Sequence, residues 1–225
     1  PASVVSWPSW QTMPSSGADE TVFQFLKIKN AETVFLNWLK PLKNESLEDY
    51  AIRFKNAYIP GDGVIIGMSY GGMLATEIAK KFPNILSILV SSVKTKSEFP
   101  ITFGWGKYFP VYKWAPASLQ RWVMQHLSGV FGADTATTKN IYHKIIEKSD
   151  TTFNTWALDS MIGWKNKTTP SNTVNIHGTS DKIIPHKNVH WDYEIKGGSH
   201  LMILNQADEI SHLINKIIEE KYSGN

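Results

Sequence analysis

Gly67-Met68-Ser69-Tyr70-Gly71-Gly72 is the stretch of this chain best placed to do chemistry. It follows the apolar run Val64-Ile65-Ile66 directly and opens a helical pattern that stops near Pro83. A G-x-S-x-G segment between a strand and a helix puts its serine on a sharp, strained turn, with the hydroxyl lifted clear of the sheet. Strand and helix then pass so closely that side chains two residues to either side would collide, which glycine at 67 and 71 avoids. The turn leaves the Tyr70 N–H at a helix N-terminus, aimed where negative charge would develop on a substrate oxygen. The chemistry implied is nucleophilic attack on an acyl carbon. Two plainer readings use the same residues: a glycine-rich turn with a structural serine, and a phosphate cradle. The cradle lacks the lysine of a P-loop and the G-x-G-x-x-G spacing.

A serine hydroxyl is a poor nucleophile until a base takes its proton. Of the seven histidines, only His200 falls in a loop between the last strand and the last helix, within Gly197-Gly198-Ser199-His200-Leu201. Its glycines let that loop fold back over the C-terminal edge of the sheet, where open α/β sheets bind ligands. The competing reading is a loop histidine packed beside Trp191. A third member should be a carboxylate that holds the imidazole tautomer and stabilises the imidazolium. Asp181, in Gly178-Thr179-Ser180-Asp181, leaves the C-terminal end of a strand over 173–177 and meets that need. A turn aspartate bonding its own backbone is the alternative. His186 and His190 are spaced H-x-x-x-H but straddle a loop and a strand start, with no acidic partner placed to complete a metal site. They read as surface histidines, and His177 as a strand-end residue with a hydrogen bond.

The elements that must position these residues alternate. Residues 1–14 are hard to read: Val4-Val5 suits a strand start, but Pro8 would break a central ladder. Ser15 to Asp19 reads as a turn feeding a short helix through Phe23 and Leu26, and Glu32 to Leu39 as a strand. Ser46 to Asp49 has capping spacing, followed by a helical face of Leu47, Tyr50, Ala51 and Phe54. Val64–Ile66 is continuously apolar, as a strand covered on both faces is, and Ile85–Val93 reads as another buried strand. Between about Phe99 and Lys167 strand signals vanish, and Trp- and Met-rich helical stretches appear at 117–130 and 138–148. Strands resume at 173–176. The alternation of Val189, Trp191, Tyr193 and Ile195 with polar residues marks an edge strand with one solvated face. Ile210, Leu213, Ile214, Ile217 and Ile218 form one stripe of a final helix. Strands alternating with helices imply α/β architecture, a doubly wound, mainly parallel sheet. Residues 1–98 and 168–225 form the core, with 99–167 inserted over it.

Composition narrows the partners. At 225 residues the chain suits one large α/β domain with one insertion. With 23 basic and 20 acidic side chains the net charge is +3, spread along the chain without a basic block, so neither nucleic acid nor a membrane surface is favoured. Zero cysteines exclude a thiolate nucleophile and thiolate metal sites. No apolar run approaches a membrane span. The first residues show no charged n-region of a signal peptide, and cytoplasm is the default compartment. Asn44-Glu45-Ser46 and Asn166-Lys167-Thr168 match the glycosylation sequon by accident of its shortness.

The order Ser69, Asp181, His200 resembles that of the α/β-hydrolase superfamily, in particular its small, capped, bacterial-type members. The match lies in GMSYGG, HGTSDKIIP and GGSHLMI and extends from about residue 15 to the C-terminus. The resemblance implies an α/β-hydrolase fold of about six strands, with 99–167 as a helical cap forming an apolar pocket over Ser69, although most of its aromatics would serve the cap's own small core. It also implies an oxyanion hole shared by Tyr70 and a residue of Pro14-Ser15-Ser16-Gly17. Ser16 is the candidate there, although this segment departs from the usual His-Gly. The expected function is hydrolysis of a carboxylic ester or related acyl substrate through an acyl-enzyme. That chemistry calls for no cofactor and no metal. A non-catalytic small-molecule-binding relative, an acyltransferase or a C–C hydrolase would present the same triad.

Overall fold

Every residue of the segment Gly63–Met68 is buried, so this strand must be covered on both faces. The computed structural model, which describes residues 10–13, 20–29, 33–101, 103, 108 and 110–222, places it at the centre of a six-stranded sheet. The strands are β1 (Trp10–Met13), β2 (Thr33–Phe35), β3 (Gly63–Met68), β4 (Ile85–Val90), β5 (Thr173–Gly178) and β6 (Tyr193–Ile195). Their order across the sheet is β2-β1-β3-β4-β5-β6, and every pairing is parallel. Parallel neighbours need crossovers, and these are supplied by helices. Between β2 and β3 lies α1 (Leu47–Tyr58); between β3 and β4 lies α2 (Tyr70–Lys81). Four helices, α3 (Ala117–His126), α4 (Ser128–Phe131), α5 (Ala136–Lys148) and α6 (Thr151–Gly163), separate β4 from β5. After β6 come the short α7 (Met202–Asn205) and the long α8 (Ala207–Tyr222).

The alternation of side chains along a strand divides the core in two. Val64, Ile66 and Met68 of β3 join Ile88 and Val90 of β4 on one face, against α8 and α5. Ile65 and Leu89 point to the other, against α1, α2 and α6. Burying each large apolar side chain is worth roughly 1.5–3 kcal/mol. α1 starts where expected: the Ser46 side chain accepts the Asp49 N–H at 3.1 Å, and Leu47, Tyr50, Ala51 and Phe54 are its buried face.

The strand limits differ from the sequence reading in three places. The first strand runs over 10–13, past Pro8, while the proposed start at Val4-Val5 lies outside the described residues. β2 covers only Thr33–Phe35, because Leu36 leaves the sheet for the second core. β6 covers only Tyr193–Ile195, because β5 offers it just three paired positions.

The inserted helices also pack differently. α3 buries no residue, whereas α5 and α6 carry buried side chains of the two cores. Trp156 of α6 packs its ring at a tilt, 4.6 Å from that of Tyr50 of α1, and donates its indole N–H to the Glu45 carbonyl at 3.2 Å. Trp164 donates to the buried Glu77 carboxylate of α2 at 2.7 Å. Tyr142, Ile145 and Ile146 of α5 join the first core. The Asn166 sequon is unavailable: that side chain is buried and its amide is bonded to the carbonyls of Lys94 and Thr168. Among the described residues no helix is long and apolar enough to cross a membrane.

Candidate active site

β3 and α2 meet at Ser69, whose φ of 51° and ψ of −116° are strained for a residue with a Cβ. Such strain costs about 1–3 kcal/mol and persists only where the surroundings fix it. Here they do. The Ser69 N–H donates to the Val90 carbonyl at 3.0 Å, and the Ser69 carbonyl accepts the Ser92 hydroxyl at 2.6 Å and the Gly72 N–H at 3.0 Å. A Cβ at residue 67 would lie 2.6 Å from the Gly71 carbonyl carbon and 2.7 Å from the Gly72 nitrogen, so that crossing admits only glycine. Gly72 is equally constrained, since its Cβ would lie 2.5 Å from that of Ser92.

The other two loops are built as a pair. Gly178 ends β5, and a Cβ there would lie 2.8 Å from the Gly198 Cα. The Ser180 N–H donates to the Gly198 carbonyl at 2.9 Å, and the Gly197 N–H to the Thr179 hydroxyl at 2.8 Å. This close approach carries Asp181 and His200 to the same edge. His200 Nδ1 donates to Asp181 Oδ2 at 2.8 Å, and its Nε2 accepts from the Ser69 hydroxyl at 3.0 Å. Asp181 Oδ1 accepts the N–H groups of Ile183 and Ile184 at 2.8 and 2.9 Å. Burial alone would raise the Asp181 carboxyl, but the neighbouring His200 and the Ile184 N–H together hold it below its ordinary range. Both Asp181 and His200 are buried, whereas Ser69 is half-buried. A buried, ionised carboxylate locks the imidazole with Nε2 toward the serine, the arrangement that general-base activation requires.

A model of the alpha/beta hydrolase family matches residues 6–213. The chain belongs to that family. Solved α/β-hydrolase structures share its shape at low identity, which speaks to fold alone. A thermophilic esterase superposes with a TM-score of 0.69 at 16% identity, over 96% of this chain and 91% of that one. A meta-cleavage product hydrolase from Pseudomonas fluorescens gives 0.66 at 17%, over 96% and 93%. An esterase from Exiguobacterium antarcticum gives 0.68 at 13%, over 95% and 92%. No curated protein sequence matches.

Within this α/β-hydrolase, Ser69, Asp181 and His200 come together as the sequence placed them along the chain. Tyr70 is the first residue of α2, so its N–H has no partner four residues back in the helix. Ser16 lies outside the described residues. His200 does not pack beside Trp191, whose ring stacks on His186 at 5.3 Å instead. It meets the edge of Phe131 at 5.5 Å, and the Leu201 N–H donates to the Phe131 carbonyl at 3.0 Å. The inserted block therefore touches the histidine loop directly.

Two contributors, Ser92 and Phe131, escaped sequence reading, and His177 is the strand-end residue with a hydrogen bond that the sequence suggested. Ser92 pins the carbonyl of the strained turn, and its place just after β4 on the same sheet edge was the available signal. Phe131 backs the imidazole, and nothing local in its sequence marks it. His177 is fully buried beneath the acid loop, where its Nε2–H donates to the Ile184 carbonyl at 2.9 Å. Burial pushes its pKa down, so the ring stays neutral 3.7 Å from Asp181. A cavity of about 910 Å³ lies beside this edge, walled by Leu36, Trp38, Leu39, Phe153 and Trp156. Trp38 comes within 5.6 Å of the Tyr70 ring, but Ser69 is not part of the wall. Among the described residues no group of three or more His, Asp or Glu side chains is arranged to hold a metal ion.

Proposed function

We propose that this α/β-hydrolase cleaves a carboxylic ester, or a related small acyl substrate, through a covalent acyl-enzyme. The observation that supports the reading is the unbroken hydrogen-bond chain from Asp181 through His200 to Ser69, with links of 2.8 and 3.0 Å. His200 takes the Ser69 proton as the Oγ attacks the acyl carbon. The tetrahedral oxyanion rests on the Tyr70 N–H and, in the segment before Gly17, on that of Ser16. Collapse breaks the bond to the leaving alcohol, whose oxygen takes the proton from His200. Water then attacks the acyl-enzyme, giving its proton to His200, and the acid leaves as the proton returns to Ser69. Asp181 stays ionised throughout and stabilises the imidazolium. Residues 1–98 and 168–225 serve as the core, and 99–167 as a cap over the serine, held against the histidine loop by Phe131. Esterases among the structural neighbours make simple esters the first substrates to test.

A fluorophosphonate probe tests the reading. It should label the wild-type protein once and fail to label Ser69→Ala. A folded wild-type protein that neither labels nor turns over any member of a p-nitrophenyl ester chain-length series would instead be a binding relative of the family.

A further inference from the structure

His200 reaches Ser69 from a loop that two separate pieces of the chain hold in place. On one side, Thr179 and Ser180 of the acid loop bond to the Gly197 and Gly198 backbone. On the other stands the C-terminal end of α4, which belongs to the inserted block. The Leu201 N–H donates to the Phe131 carbonyl at 3.0 Å. The Asn205 amide donates to the Gly132 carbonyl at 2.7 Å and reaches the Ser199 hydroxyl at 3.3 Å. The imidazole itself meets the Phe131 ring edge-on.

This seam is close enough to dictate sequence. Gly132 is buried, and its φ of 88° lies in the left-handed region that favours glycine. A Cβ there would collide with the Cβ and the hydroxyl of Ser199, the residue beside the base. Gly132 also ends α4, and the last carbonyls of a helix have no partner within it. The Ser128 and Gly129 carbonyls take the N–H groups of Ala133 and Gly132. Those of Phe131 and Gly132 are satisfied only across the seam, by Leu201 and Asn205. Asn205 is the last residue of α7, the short helix that begins just past His200, and it is exposed. Its amide bonds, not its bulk, make the contact.

We infer that Asn205 is a positioning residue for His200: by gripping the Gly132 carbonyl it ties the histidine loop to the inserted block and sets the imidazole against Ser69. The inference rests on the reading of Ser69 and His200 as nucleophile and base. A reacting group must be held within about 0.5 Å of its productive place, and a misplacement of about 1 Å costs roughly 10²-fold in rate. The Asp181 bond holds the ring by one nitrogen, so the loop backbone decides where the other points. Without Asn205 the backbone seam would rest on the Leu201 N–H alone. The loop would then hang from Gly197 and Gly198, the residue type with the most backbone freedom.

Asn205→Ala tests it. Turnover of the best p-nitrophenyl ester should show kcat about tenfold lower with KM unchanged, the pattern of a contact that matters in the transition state. The rate of fluorophosphonate labelling should fall by the same factor. The melting temperature should hardly move, because Asn205 is exposed and water can replace it on the Gly132 carbonyl. Asn205→Asp keeps the shape but lacks the donor, and should be at least as slow. Gln206→Ala removes a similar bond, to the Lys196 carbonyl at 3.2 Å, without touching the inserted block, and should turn over as wild type. A readout independent of turnover is the far-downfield proton NMR signal of the His200 Nδ1–H, assigned by its loss in His200→Ala. In Asn205→Ala its exchange with water should quicken about tenfold, the scale of one lost hydrogen bond. A wild-type protein that neither labels nor turns over, yet shows this quickening in the variant, would sink the esterase reading and leave the positioning role standing. Exchange as slow as wild type in Asn205→Ala would overturn the inference. So would an unchanged kcat in an active enzyme, or an equal loss in Gln206→Ala.

Discussion

α2 and α3 are helices of similar length that spend their apolar side chains in opposite directions. Ten of the twelve residues of α2 are buried; none of the ten in α3 is. α2 lies between the sheet and α1, and its first turn carries the strained Ser69. A backbone at φ 51° must be over-determined by packing, because any slack would let the turn relax and move the hydroxyl away from His200. α3 bears no such group: Gln120 and Arg121 are bonded to carbonyls of its own block, and the half-buried Met124 packs against the first core. Rigidity is thus invested where the Ser69 hydroxyl is held 3.0 Å from His200 Nε2, and apolar surface is left free where it is not needed for folding.

The sharpest way to break this contrast is to remove the reacting groups without disturbing the packing. Ser69→Ala or His200→Ala is expected to lower kcat by roughly 10³-fold or more, as when one member of a catalytic unit is deleted. The melting temperature of Ser69→Ala should hardly move, since Ala keeps the Cβ and the backbone bonds at residue 69 do not involve its hydroxyl. Steady-state turnover of the best ester, read beside thermal unfolding, checks both halves. Wild-type turnover in either variant would remove the proposed mechanism.

The glycines sharpen the same point in stability. Gly67→Ala puts a methyl 2.6 Å from the Gly71 carbonyl carbon, against backbone that cannot yield. The expected cost is about 3 kcal/mol or more, in the range of severe overpacking. Gly129→Ala, in α4, meets nothing within 4 Å. There the change should be neutral or stabilising by up to about 1 kcal/mol, the ordinary gain of Ala over Gly in a helix. Urea denaturation of both variants compares the two regions directly.

Much of this arrangement was legible beforehand, for definite reasons. Strand runs such as Gly63–Met68 and Ile85–Val90 are buried throughout and almost wholly apolar because both faces are covered, Ser87 being accommodated by a bond to the Ala75 carbonyl. Ser69, Asp181 and His200 were legible because each sits where a strand ends, in a composition that only a tight loop needs. α6 was not, because its apolar residues face several neighbours at once and leave no one-sided stripe. Asp150, which accepts the N–H groups of Thr152 and Phe153, was its one visible start signal. The alternation of 189–195 misled: Val189 is buried in the second core and Trp191 stacks on His186, so a period of two arose without a strand over its first half. Nor could the outward turn of α3 be read, because an apolar stripe does not say which way it faces.

Acid offers a smaller test of the buried edge. The His177 ring, lowered by burial, stays neutral in the folded protein where an unfolded imidazole takes up a proton near its ordinary 6.5. The unfolded state then binds more protons, so stability falls as pH drops below that value. Asp181, held below its ordinary 3.8, contributes in the same direction at lower pH: its stabilisation is present above that value and lost as pH falls through the folded pKa. The interval between about pH 7 and about pH 5 lies above the range of Asp181 and isolates it from the His177 contribution. His177→Gln keeps a donor for the Ile184 carbonyl and has no proton to gain. Its melting temperature should therefore decline less steeply than the wild type over that interval. Equal slopes would mean that another group sets the acid sensitivity.

The smallest expected effect is the most telling for the two helices. Trp122→Gln exchanges the largest side chain of α3 for a polar one, in a residue already 56% exposed. With so little area to lose, unfolding free energy should change by no more than about 0.5 kcal/mol, as for surface positions generally. Leu74→Ala in α2 removes a smaller side chain, but one with no exposure, and should cost about 2–5 kcal/mol. If Trp122→Gln proved as damaging as Leu74→Ala, the indole would be holding the fold together. Its outward face would then be a structural surface, and the asymmetry between the helices would lose its meaning.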